Sequence, residues 1–432
     1  MFIIPLILYF DNLNNSHIFR YRKIFCVLDQ KMLFKNFGGN RMYSKKLALA
    51  LILSLMVLTV AFPQPVTASP STRKEAAMDF MMNYYRNETG GFLYYQLQEA
   101  LAKDKENLEA TYFAVKAISL LEPLKRTDIN TTIMADWVTS LQETSPESEK
   151  YGGFSIMKYY PPTTYAAMYA VSILEVIEKL DEMDKEGLNH WLNRTWTNNS
   201  FTESPTTENS TKEATLFSTY AAVVALSKIG YLNEYNKTAI ALWVLGHQEL
   251  NKSSPFYGSF HMFENDTYPT IFSTYVAIKT LETLSAINTL NTTQKSALLS
   301  WLNQLKTDTS FGYRDSLNGT VNIFSVYMAL STLSLFEPLP GGLNSSCVEW
   351  VLNLQNTDGG FGYTEDAPSY LLSTAYAILT LGFFNAIDRL NEQVPWELGG
   401  LTFVQIVTIA IAALLVGSFV VYAYWYTKKR KR

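Results

Sequence analysis

Ionisable and aromatic side chains gather in short stretches that follow a recurring Gly/Ser-Phe step. His261, Glu264 and Asp266 lie in one such stretch, Arg314 and Asp315 in the next, and Glu365 and Asp366 in a third. Tyr159, Tyr160, Tyr268, Tyr313, Tyr363 and Tyr370 are interspersed among them. Two carboxylates on different loops, facing each other across a cleft, could divide acid and base work on a glycosidic bond. One carboxyl kept protonated by its surroundings could act alone as a general acid. Glu365-Asp366 is only an adjacent pair, better suited to capping the helix after it than to acid catalysis. A mouth rich in tyrosine with few charges suits a small amphipathic or sugar-like ligand. His261, Glu264, Asp266, Arg314, Asp315, Glu365, Asp366, Tyr313, Tyr363 and Tyr370 are therefore the expected ligand mouth, and no catalytic residue is assigned. Metal chemistry is poorly served: past the leader the chain offers only Cys347, His190, His247 and His261. One thiol makes neither a zinc cage nor an intrachain disulfide.

An internal repeat must position these loops. Trp137, Trp191, Trp243, Trp301 and Trp350 recur at spacings of 54, 52, 58 and 49 residues, and Phe80 takes the same place 57 residues before the first. Each unit then shows the aromatic step: Gly90-Gly91-Phe92, Gly152-Gly153-Phe154, Ser200-Phe201, Gly258-Ser259-Phe260, Ser310-Phe311-Gly312 and Gly359-Gly360-Phe361. A Tyr-containing segment follows, at 111–121, 164–174, 219–229, 274–284, 326–336 and 375–384. Its apolar residues recur at i, i+3, i+4 and i+7, the period of an amphipathic helix. Six helical hairpins are predicted over 69–390, with almost no strand signal.

The stretch Gln355-Asn356-Thr357-Asp358-Gly359-Gly360-Phe361-Gly362, followed by Ser373-Thr374-Ala375-Tyr376, resembles the QxxDGGFG repeat of protein prenyltransferase β subunits and squalene or terpene cyclases. The other five units are weaker copies. The resemblance implies an all-α fold, an (α/α)6 toroid with the Trp helices outside and the Tyr helices inside. It also implies where a zinc ion would sit, held by an Asp, the Cys of an Asp-x-Cys pair and a distant His. Asp366 falls near that aspartate, but Pro368 occupies the cysteine position and offers no ligand atom. The zinc site is not matched, and no cofactor is predicted. The Asp-x-Asp-Asp acid of the cyclases and the Gly-Cys-Gly-Glu-Gln thioester of complement-like toroids are also missing.

The two ends suggest a membrane. Lys45 and Lys46, an apolar run from Leu47 to Phe62 and a small-residue site at Val66-Thr67-Ala68 form a signal-peptide pattern over 42–68, so residues 1–41 read as an upstream extension ahead of Met42. Residues 402–426 carry no charge and are followed, in the tail 427–432, by Lys428, Lys429, Arg430, Lys431 and Arg432. That pattern predicts a transmembrane helix with a cytoplasmic basic tail, joined to the toroid by a linker at 391–401. Of 35 basic and 39 acidic residues, the first 68 positions hold 8 and 2 and the tail holds 5 basic ones, leaving 69–426 with 22 basic and 37 acidic. So acidic a segment repels phosphate backbones, and no nucleic-acid partner is expected. Asn-x-Ser/Thr sequons at Asn87, Asn130, Asn193, Asn198, Asn209, Asn236, Asn251, Asn265, Asn291, Asn318 and Asn344 suggest a glycosylated surface.

The sequence thus predicts a single-pass protein of the cell membrane, its ectodomain extracellular and its C-terminus cytoplasmic. The toroid would serve as a non-catalytic module that binds a small molecule, glycan or protein. The alternative is an extracytoplasmic enzyme acting on an isoprenoid lipid or a glycan.

Overall fold

Nearly every helix begins where a side chain can take up the free N–H groups of its first turn. The computed structural model describes residues 72–96, 104–205, 213–307, 312–339 and 343–394, all within the unit Pro70–Leu398. The outer helices are α1 (Arg73–Met82), α3 (Thr131–Ser140), α5 (Lys185–Asn193), α7 (Lys237–Gly246), α9 (Thr292–Leu305) and α11 (Leu343–Asn353). Alternating with them are the inner helices α2 (Leu108–Leu121), α4 (Thr164–Val176), α6 (Leu216–Ile229), α8 (Ile271–Thr283), α10 (Ile323–Leu333) and α12 (Leu371–Phe383). Most inner helices start three or four residues earlier than hydrophobic periodicity predicts, because Asn107, Thr215, Thr270 and Asn322 cap them. Reciprocal bonds from the N–H groups of Thr215, Thr270 and Asn322 to Ser218, Ser273 and Ser325 Oγ complete three of these caps.

Each inner helix packs on its two inner neighbours, and α12 packs on α2, so the six close into a ring. Every outer helix lies against the inner helix that follows it. The closing seam joins α1 to the sixth repeat. Arg73 Nη1 donates to Leu352 O at 2.9 Å, and Arg73 N donates to Glu392 O at 3.0 Å. Phe80 meets Gly360 there, much as Trp191 meets Gly153 in an internal seam.

The aromatic step is the wedge between layers. Phe92, Phe154, Phe201, Phe260 and Phe361 are fully buried. Four of their N–H groups donate to a threonine on the next inner helix: Phe92 to Thr111, Phe201 to Thr219, Phe260 to Thr274 and Phe361 to Thr374. The glycine before the step must turn left-handed while touching the next outer helix. At Gly152 (φ +84°) a Cβ would lie 1.7 Å from Gly187 O. A repeated glutamine then staples three of the seams: Gln142 Nε2 donates to Gly152 O and Asp184 O, Gln248 Nε2 to Gly258 O and Gln294 O, and Gln355 Nε2 to Gly359 O and Arg73 O.

The cell-membrane placement, with an extracellular ectodomain and cytoplasmic tail, is corrected here. Among the described residues no helix is long and apolar enough to cross a membrane. The longest hold 14 residues, a rise of about 21 Å against a hydrocarbon layer of ~30 Å. The expected upstream extension (1–41), signal peptide (42–68), transmembrane span (402–426) and tail (427–432) lie outside the described residues, as does the linker beyond Val394.

Several sequons have a structural role. Asn130, Asn236 and Asn291 are helix N-caps, their Oδ1 atoms accepting backbone N–H groups, and Asn251 Oδ1 accepts from Ser253 N. Asn87, Asn193, Asn198, Asn265 and Asn318 are exposed, Asn209 lies outside the described residues, and the side chain of Asn344 is not described.

Candidate ligand cavity

Three of the Thr-Tyr pairs on the inner helices explain the interior. Thr111, Thr219 and Thr274 turn toward the wedge phenylalanines, and the next residue lies about 100° further round the helix. That rotation points Tyr112, Tyr220 and Tyr275 at the ring axis. Together with Phe113, Tyr169, Phe217, Phe272, Tyr327 and Tyr376, they surround a cavity of about 500 Å³ with nine aromatic rings contributed by all six inner helices. The lining runs from first-turn residues, Phe217 and Phe272, to last-turn residues, Glu175, Lys228 and Thr283. Ring contacts knit one wall: Phe113 lies 4.8 Å from Tyr376, which lies 4.4 Å from Phe324 and 5.3 Å from Tyr327.

Burial raises the pKa of Tyr169, Tyr220, Tyr275 and Tyr376, so these phenols stay neutral at physiological pH. Tyr169 Oη donates to Glu109 Oε1 at 3.1 Å. Burial lifts the Glu109 carboxyl above the ordinary range, and the bond from Tyr169 only partly opposes that. Lys116 lies one helical turn beyond Tyr112 and donates to its Oη at 3.0 Å. Burial favours the neutral amine, but the Tyr112 and Tyr327 oxygens and the Glu175 charge outweigh it, and the Lys116 pKa is raised.

All ten residues expected at the mouth stand outside the cavity lining. They sit in loops that share one rim, because the rim loops bond to the starts of neighbouring inner helices: Leu216 N to Met262 O, Ile271 N to Asp315 O and Ile323 N to Tyr363 O. Within the rim they mostly organise their own turns. His261 Nδ1 is 2.7 Å from Asp266 O, and its Nε2 is 3.7 Å from Glu249. Asp266 accepts from Met262 N and Tyr268 N, while Asp315 accepts from Ser316 Oγ and Asn322 Nδ2. Tyr313 is buried, Tyr363 packs 4.9 Å from Phe324, and Arg314 is half-buried. Glu264, Glu365, Asp366 and Tyr370 are exposed, with Asp366 left-handed at φ +64°. The rim thus brings these residues to one face without gathering them into a reactive cluster. Sequence reasoning passed over Tyr112, Tyr220, Tyr275, Lys116 and Glu109; their signal was the Thr-Tyr phase and the i, i+4 spacing of Tyr112 and Lys116.

Residues 82–252 and 198–397 match the sequence profile of the prenyltransferase alpha-alpha toroid domain. The chain belongs to this family. It is 32% identical over 146 residues to the geranylgeranyl transferase type-2 subunit beta of Saccharomyces cerevisiae, covering 33% of this chain and 43% of that protein. The chain thus spans less than half the length of that relative. Among solved structures it resembles a Candida albicans protein geranylgeranyltransferase-I complexed with GGPP, with a TM-score of 0.55, 15% identity and coverage of 73% of this chain and 94% of that one. It also resembles a GH76 alpha-mannanase from Bacteroides thetaiotaomicron, with a TM-score of 0.51, 9% identity and coverage of 73% and 94%. At such identities the likeness establishes the fold, and neighbours with such different names show that this fold does not choose a chemistry.

The donor set does not fit the zinc ion implied by the sequence resemblance. His190 lies on α5, His247 caps α7 with its ring 4.2 Å from Trp243, and His261 is in the rim. Cys347 is buried on α11, where burial pushes its thiol up to about 12. Pro368 is exposed and supplies no ligand atom. Among the described residues, no three His, Cys, Asp or Glu side chains lie close enough to hold a metal ion.

Proposed function

We propose that this toroid is a binding module whose central cavity takes an apolar small molecule, and that it works without the zinc chemistry of its prenyltransferase relatives. The observation that carries this reading is the cavity of about 500 Å³ walled by nine aromatic rings. Its size falls in the range of small-molecule sites, which are mostly apolar with a few fixed polar groups. The neutral tyrosines supply hydroxyl contacts without the desolvation penalty of charges. A second reading, an enzyme acting on an isoprenoid lipid, is favoured by the half-buried Glu109 carboxyl bonded to Tyr169 on the cavity wall. A carboxyl whose pKa is raised by burial, beside an aromatic cavity, has the character of a general acid.

Native mass spectrometry of the purified full chain, with and without zinc, tests the lead reading. The expected spectrum shows one apolar small-molecule adduct and no stoichiometric zinc. Substitution of Tyr275 by Trp, which adds volume inside the cavity, should remove the adduct. Stoichiometric zinc, or an adduct unchanged in Tyr275→Trp, would overturn it. Turnover of the bound molecule that Glu109→Gln abolishes would establish the enzyme reading instead.

A further inference from the structure

On the side opposite the loop rim, the inner helices end in a charged lip. We infer that this end of the cavity receives the anionic head of an amphipathic ligand, with Lys116 as the group that takes the charge and the aromatic rings holding the apolar body. The inference rests on the cavity being a ligand site, as proposed above.

Lys116 stands on the third turn of α2, deep in the barrel yet partly accessible because it borders the cavity. An ammonium offers three donors. This one makes a single hydrogen bond, to Tyr112 Oη, and lies 5.3 Å from the centre of that ring. Among the described residues no carboxylate lies within ion-pair distance of it. Glu175, the acid whose charge reaches it, is paired with Lys228 across α4 and α6. Two cations and one anion therefore line this end of the cavity, and one positive charge is left unmatched. Ser227 and Thr283, on the last turns of α6 and α8, add hydroxyls at the same end. One free ammonium beside hydroxyls matches a singly charged head, such as a carboxylate, on a hydrocarbon body.

The test titrates the unliganded full chain at neutral pH with laurate and with 1-dodecanol, probes that differ only in the head group. Laurate should bind about 10-fold more tightly or better, the worth of one charge-assisted hydrogen bond. Lys116→Met should abolish the preference, so that laurate and dodecanol bind that variant equally. Lys116→Arg should keep the preference. Equal binding of laurate and dodecanol by the wild-type chain overturns the anionic subsite while leaving the apolar cavity standing, and that comparison needs no variant to fold. A laurate preference that survives in Lys116→Met also overturns it. Failure of both probes to bind removes the cavity reading and this inference together.

Discussion

Replacing Gln355 by alanine should open the ring at its closing seam. Gln355 is 8% exposed, and its Nε2 donates to Gly359 O and Arg73 O, both at 2.9 Å. Its Oε1 accepts from Arg73 Nη1 at 3.2 Å. Two neutral bonds contribute about 1 kcal/mol each and a bond to a charged group about 1.5 kcal/mol or more, so the loss is about 3–4 kcal/mol. For a domain this large that is about 4–6 °C in Tm. Gln248→Ala is the internal control, at 7% exposure. There Nε2 makes one good bond, to Gln294 O at 2.9 Å, and one long bond, to Gly258 O at 3.4 Å, while Oε1 has no hydrogen-bond partner. Its loss should be about 1–2 kcal/mol. Calorimetry gives the two Tm values, and amide exchange locates the opening. Gln355→Ala should release α1 and residues 352–362, whereas Gln248→Ala should release the start of α9 and residues 256–260. Equal destabilisation by the two variants, or a Tm change under about 2 °C for Gln355→Ala, would refute the account of ring closure by this staple.

Three further outcomes are expected. Glu109→Gln keeps an acceptor for Tyr169 but cannot ionise. Because burial raises the folded Glu109 pKa, the wild-type carboxyl favours folding below its unfolded pKa and loses that advantage as pH rises through its folded pKa; the variant should therefore be the more stable at pH 7, with the difference vanishing below about pH 4 in a Tm-against-pH series. Gly230 and Gly152 both have positive φ, but a Cβ at Gly230 meets open space while one at Gly152 strikes Gly187 O; Gly230→Ala should cost about 1–2 kcal/mol of backbone strain and Gly152→Ala several-fold more, read from urea midpoints. Thr374→Val strands the buried Phe361 N–H, now bonded at 2.9 Å, and should cost about 1–3 kcal/mol by the same assay.

The ring was legible because each repeat places one large aromatic residue on its outer helix. The Trp spacing, with Phe80 as its first member, marks the outer helices, and Phe80 meets Gly360 at the closing seam. The Gly-Phe step was legible for the same reason: only glycine tolerates both the turn and the contact at Gly152. The seam glutamines were visible as residues, but their meaning was not. Their partners lie at the starts of other outer helices, 42 positions away for Gln142, 46 for Gln248 and 282 for Gln355.

The cavity was hidden by its own composition. Charged and polar loop residues such as His261, Asp266 and Asp315 look functional in a sequence because they could do chemistry, yet here they bond their own turns. The cavity wall is made from residues that read as ordinary core: Tyr112, Tyr220 and Tyr275 sit in apolar helices and obey the helical period. What separates them from core is the residue before each one. Thr111, Thr219 and Thr274 are tied to the wedge phenylalanines, and that fixes the helix rotation so that the tyrosine faces the axis. Six helices held in a ring by their outer faces cannot also collapse onto one another at the centre, so the axial side chains surround a space instead of filling it. Lys116 follows from the same rotation. One turn beyond Tyr112 on the same face, it shares that tyrosine's place on the cavity wall, and its ammonium reads in the sequence as one more surface lysine.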